Sequence, residues 1–124
     1  MPPAKKKSES DEEIDEIIAF NFPAVLLVFG KAKWPQLKDL YMTLAWTEYK
    51  NITVWRSLAC SLHEVAQILG FELTETDVFP LFKRFLQDTN WEVRVGVLSN
   101  FDKFLGVVPS KKDREECLAN FAKV

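Results

Sequence analysis

The chain has 124 residues, 48% hydrophobic and 13% aromatic, with a formal net charge of −2, enough for one well-packed domain at most. Sixteen Lys and Arg against 18 Asp and Glu give no global pull toward nucleic acid or an anionic membrane, and no apolar run reaches the ~20 residues a bilayer span requires. Cys60 and Cys117 are too few and too far apart for a disulfide framework, and acidic residues follow Lys5-Lys6-Lys7 where a secretory signal would carry its apolar stretch. A reduced setting, cytoplasmic or nuclear, is expected.

Residues 1–10 are polar, Pro-containing and poor in apolar side chains, so they read as a disordered tail. The Lys5-Lys6-Lys7 cluster within it is a weak nuclear-import signal or a solubilising feature. A helix is expected from Asp11, with Ser10 as its cap and Asp11-Glu12-Glu13 at the positive end of its dipole. Pro23 predicts a break or kink, followed by a second short helix closed by Gly30.

Trp34-Pro35 opens the next helix, with proline at a first-turn position, and it runs to about Trp46. The polar and aromatic stretch from Trp46 to Thr53 reads as a turn. Its Asn51-Ile52-Thr53 matches a glycosylation sequon, which matters only in the secretory pathway. One long helix is then predicted from Thr53 to Leu69, closed by Gly70. Thr74-Glu75-Thr76-Asp77 resembles a capping pattern for a helix to about Gln87, bent near Pro80. Asn90 caps a helix from Trp91 to Leu105, and Ser110 caps a last one from Lys111. No segment alternates with a period of two, so the expected class is all-α.

Two of these helices repeat one pattern. Val54, Leu58, Leu62, Ala66 and Leu69 map onto Val93, Val97, Phe101, Leu105 and Val108 at a constant offset of 39 residues, and Leu37, Leu40, Tyr41 and Leu44 map onto Val78, Leu81, Phe82 and Phe85 at 41. A helical hairpin recurring at about 40 residues is the pattern of HEAT and armadillo solenoids. Residues 11–124 therefore read as an α-solenoid segment of antiparallel helical hairpins: two complete ones, a leading partial one and half of a trailing one. Leu118, Phe121 and Ala122 begin an apolar face with nothing downstream to cover it, as expected of a piece of a longer array.

Asp88 ends the first helix of the second hairpin and Arg94 opens the second helix, a spacing at which HEAT repeats pair an Asp and an Arg along stacked turns. Three blocks carry a closer resemblance: Asn21-Phe22-Pro23-Ala24-Val25 with Leu37-Lys38-Asp39-Leu40-Tyr41; Arg56 through Gly70; and Asp77-Val78-Phe79-Pro80-Leu81-Phe82 through Asp88 to Leu98. Together they resemble the HEAT-repeat family of regulatory subunit 1 of serine/threonine-protein phosphatase 4, with its shorter subunit 1-like relatives. The resemblance implies a non-catalytic regulatory or scaffold subunit that binds the catalytic subunit of a protein phosphatase 4 type enzyme and directs its activity. In the more distantly similar phosphatase 2A scaffold the catalytic partner is held by turns inside the hairpins. The matching turns here nominate Trp46, Glu48, Tyr49, Lys50, Asp88, Asn90 and Trp91 for partner binding, with Asp88 and Arg94 as the structural ladder. In the first hairpin Trp55 replaces the ladder arginine and the turn is two residues longer.

Nothing in the chain points to an enzyme. There is no nucleophile elbow, phosphate loop or paired zinc ligands, so no catalytic residue, metal or cofactor is expected, and the scattered basic residues form no nucleic-acid stripe. His63, the single histidine, falls on the face of Arg56, Cys60, Glu64 and Gln67, away from the apolar stripe, and is expected at the surface or in the solenoid groove. Trp46, Tyr49 and Trp91 either fold back onto the core or stand out as anchors, since Trp and Tyr are enriched in interface hot spots. Two other readings remain: an adaptor gripping a peptide or cargo in its groove through Arg56, His63 and Lys103, and a truncated array with no independent activity.

Overall fold

The structure, a computed structural model, describes residues 8–108 and 110–122, with side chains through residue 119. Helix α1 spans Glu9–Phe29, and its cap is Ser8 rather than Ser10: the Ser8 hydroxyl accepts from the Asp11 amide at 3.2 Å, with Glu9, Asp11 and Glu12 in the first turn. Helical order thus begins inside the stretch expected to be a tail; residues 1–7, with the Lys5-Lys6-Lys7 cluster, lie outside the described residues. The break expected at Pro23 is absent, and α1 runs through it. An interior proline costs about 3 kcal/mol. Ala19, Phe22, Pro23 and Leu26 are all buried, and at about 1.5–3 kcal/mol per large apolar side chain this packing outweighs the lost hydrogen bond. Gly30, at φ 82°, ends the helix as expected.

A 3-10 turn, Lys31–Lys33, leads into α2 (Trp34–Trp46), which has proline in its first turn. The single helix expected from Thr53 to Leu69 is two, α3 (Ile52–Cys60) and α4 (Leu62–Leu69). Ser61 separates them, its hydroxyl donating back to the Ser57 carbonyl at 2.9 Å, a competition that bends helices. The second copy does the same: α7 (Trp91–Leu98) and α8 (Phe101–Leu105) replace one continuous helix, with the Ser99 hydroxyl on the Val95 carbonyl at 2.7 Å. Both caps are asparagines at equivalent positions, Asn51 and Asn90, and the second pieces start at the equivalent Leu62 and Phe101. The repeat therefore extends to the caps and the bends.

Between the copies, α5 (Phe71–Leu73), a π turn (Thr74–Val78) and α6 (Phe79–Leu86) form one continuous helical stretch. Thr74 does not cap it. It is fully buried, and its hydroxyl donates to the Ala66 carbonyl at 3.1 Å. The widened turn ends two residues before Pro80 and contains Thr76, whose carbonyl the proline ring crowds in an unbroken α-helix; the bending expected there takes this form. Helix α9 (Lys111–Ala122) starts at Ser110, which accepts from the Asp113 amide at 3.0 Å.

The helices stack as a two-layer solenoid. In one layer α1 packs on α3–α4, and these pack on α7–α8; α2, α5–α6 and α9 form the other. No strand occurs among the described residues. The repeating apolar positions Val54, Leu58, Leu62, Ala66 and Leu69 are buried throughout. One aromatic cluster joins Phe22 to Tyr41 (4.5 Å between ring centroids) and Tyr41 to Trp34 (5.7 Å); another stacks Phe82 on Phe104 at 4.7 Å. Such pairs add about 0.5–1.5 kcal/mol beyond their buried area. Across the hairpins the Trp34 indole donates to Asp77 at 2.7 Å, and Lys38 pairs with the same carboxylate at 3.2 Å.

Candidate partner-binding edge

Helix α2 ends at Trp46 and leaves its last carbonyls without intrahelical donors. Side chains from two other helices supply them. The Trp55 indole donates to the Leu44 carbonyl at 3.2 Å, and Arg84 Nε donates to the Ala45 carbonyl at 2.9 Å. The Arg84 guanidinium lies 4.8 Å from the Trp55 ring centroid, 5.0 Å from Phe85 and 5.8 Å from Trp46, and donates to the Asp88 carboxylate at 2.8 Å. Trp55, which replaces the ladder arginine of the first hairpin, thus stacks on an arginine from the second. That contact ties the two hairpins together at their shared edge.

Asp88 organises the second turn. One carboxylate oxygen accepts from Arg84 Nη1 and the other from the Asn90 amide, each at 2.8 Å. Asn90 in turn caps α7 by accepting from the Glu92 amide at 2.8 Å. Arg94 reaches Asp88 too, but at its backbone carbonyl (2.7 Å), because the carboxylate is already committed to Arg84. The first turn is held by Asn51, which accepts from the Val54 amide at 3.2 Å and donates to Glu16 of α1 at 3.3 Å.

Between the two turns lies an open cleft of about 710 Å³. It brings together Trp46, Lys50 and Asp88 of the nominated residues with Trp55, Lys83 and Arg84, which sequence reasoning did not nominate. Arg84 had a local signal, its position four residues before Asp88, where an ion pair forms on one helix face. Its contacts with Trp46 and Trp55 span hairpins and leave no such trace. Trp46 is 54% exposed and Trp91 63% exposed, so both stand out from the core. Trp91 lies outside the cleft lining. Glu48 is exposed on the first turn; Tyr49 is half-buried and lines a small cavity against α1. Lys83 pairs with Glu116 of α9 at 2.7 Å.

His63 is a correction: it is buried, at 7% exposure, while Arg56, Cys60, Glu64 and Gln67 are exposed as expected. The bend at Ser61 ends the single-helix register on which the exposed placement rested, and α4 packs on α8. Burial lowers the imidazole pKa and Lys103 adds to this, against the opposing pull of Glu64 and Asp102. A groove reader built on Arg56, His63 and Lys103 loses its central residue, and Arg56 is engaged with Glu92 at 3.3 Å. Among the described residues no group of His, Cys, Asp and Glu could hold a metal ion, and no helix is long and apolar enough to cross a membrane.

The model of the protein phosphatase 4 regulatory subunit 1 middle domain matches residues 18–124. Serine/threonine-protein phosphatase 4 regulatory subunit 1 from Homo sapiens, Mus musculus and Rattus norvegicus is in each case 42% identical over 105 residues, covering 85% of this chain and 11% of the relative. The chain thus spans about a tenth of the length of these relatives. No solved structure gives a significant match.

Proposed function

The chain belongs to the protein phosphatase 4 regulatory subunit 1 family, and from that premise we propose that it is a non-catalytic HEAT-type module that binds the catalytic subunit of a serine/threonine phosphatase, of the protein phosphatase 4 type, and directs its activity. The relatives are named as regulatory subunits of that enzyme, and the family model that matches is that of its regulatory subunit 1 middle domain. The observation that supports the reading most is the edge formed by the two hairpin turns. It presents two exposed tryptophans beside a cleft whose walls are fixed by the Arg84–Asp88 pair. Rigid, exposed aromatics next to a preformed cleft are what interface hot spots are made of.

Trp46 is the anchor we assign to the cleft and Trp91 the anchor beside it, with Lys50 at the rim to favour an acidic partner surface. Asp88 and Asn90 act behind them by fixing the turn. A reducing compartment, cytoplasmic or nuclear, is part of the proposal, supported by two cysteines that stay unpaired. Co-precipitation of the full chain with the phosphatase 4 catalytic subunit tests it. Recovery of the enzyme with the native chain and its loss with a Trp46→Ala/Trp91→Ala double variant are expected. Equal recovery with both chains would refute the assigned edge.

A further inference from the structure

Helix α1 is apolar on both sides. Its inner face packs on α3 and α4, yet on the opposite face Ile14, Ile17, Phe20, Leu27 and Val28 stand 53%, 62%, 75%, 69% and 82% exposed. A helix apolar all round is a buried helix, and scattered exposed apolar residues would not form one continuous stripe. One hollow flanks the stripe, of about 540 Å³, where Ala24 and Leu27 meet Gln67 and Ile68 of α4.

The charges along the same helix run in one direction. Glu9 and Glu13 are exposed near its start on the face of the stripe, and Lys31 and Lys33 are exposed just past its end. A surface acidic at one end, apolar in the middle and basic at the other is complementary to itself when turned through a two-fold axis. We propose that α1 is a homodimerisation helix, pairing antiparallel with α1 of a second copy of this chain. In the register that best matches size and charge, Ile17 of one copy faces Leu27 of the other and Phe20 faces Ala24. The large Phe20 ring then enters the hollow beside the small Ala24, and Glu13 of each copy meets Lys31 of the other. Helix α1 spans 21 residues, about 31 Å or roughly three heptads, so the seam has the length of a helix pair rather than a point contact. None of the cleft-lining residues between the hairpin turns belongs to α1, so the pairing is independent of the phosphatase reading.

Sedimentation velocity on the full chain across a concentration series tests the proposal. A closed monomer–dimer equilibrium is expected. Phe20→Asp, at a side chain 75% exposed and so outside the folding core, should weaken it by about 100-fold with unchanged helical circular dichroism. Glu13→Lys and Lys31→Glu alone should each weaken it by about 5-fold, and the double charge swap should return it to within about 2-fold of the native value. A chain that stays monomeric at 100-fold above micromolar concentration (about 0.1 mM) overturns the proposal. So does open-ended growth, which marks head-to-tail stacking, or a dimer that Phe20→Asp leaves intact. Failure of the charge swap to rescue overturns the antiparallel register.

Discussion

Arg84 shows how much one side chain can carry when its bonds and its packing agree. Its fork takes the Ala45 carbonyl and the Asp88 carboxylate while its flat face lies against Trp55, and the ion pair is largely buried, at 16% and 7% side-chain exposure. Removing one partner of such a pair strands the other, so Arg84→Ala should cost about 3 kcal/mol of stability in urea unfolding. Arg84→Lys should recover less than half of this, because an ammonium cannot hold both acceptors in the plane of the ring. Two titrating groups add a pH dependence of opposite origin. Burial lowers the His63 pKa, so the unfolded chain takes up a proton near pH 6.5 that the folded chain resists; stability is full above about that value and falls as the pH drops below it. A His63→Phe chain should lose this acid-side decline between about pH 7 and 5, read as thermal midpoints. At Asp77 burial pushes the carboxyl up, but hydrogen bonds from Trp34 and Lys38 and the Lys38 charge outweigh it and hold the pKa below the ordinary 3.8. Its contribution is present above that value and lost as pH falls through the folded pKa, so Asp77→Asn should flatten the most acidic limb of the same profile.

At the level of the helices, α3 and α7 pack extensively and closely, and Gly96 permits it. A Cβ there would meet Cys60 Sγ at 3.0 Å and the Ala59 Cβ at 3.2 Å. Gly96→Val should therefore destabilise by about 2 kcal/mol through overpacking, and Cys60→Ala in the same chain should restore part of it, since the sulfur is the tightest neighbour. The helices, their order and the apolar stripe were legible because each follows from local chemistry: a period near 3.6, a cap, a closing glycine. The bends at Ser61 and after Leu98 were not, since a serine inside a periodic run is tolerated in a straight helix as readily as it bends one. Pro23 misled in the opposite sense, because its burial against α3 and α4 is a tertiary fact. The turns carrying Trp46 and Trp91 could be read as an edge from the repeat. Arg84, the residue that fixes that edge, makes its contacts with the other hairpin across 39 residues, beyond the reach of any local pattern.

On the scale of the whole molecule, the equivalence of the two copies explains the architecture. Asn51 and Asn90 start matching helices, both of which bend and stack, and the other layer spans them through Trp34–Asp77 and Arg84–Ala45. A solenoid of this kind works by holding side chains on an edge at fixed separation. Binding of a phosphatase catalytic subunit at this edge, as proposed, is read from the dissociation constant of the full chain for purified phosphatase 4 catalytic subunit, taken with the native chain, Trp46→Ala, Trp91→Ala and an Arg56→Ala/Lys103→Ala control. Measurable binding by the native chain and the control is expected, with each tryptophan change weakening it by at least about 10-fold while the melting profile is unchanged. No binding by the native chain, or tryptophan variants as tight as native beside a weakened control, would show that this edge does not hold the enzyme.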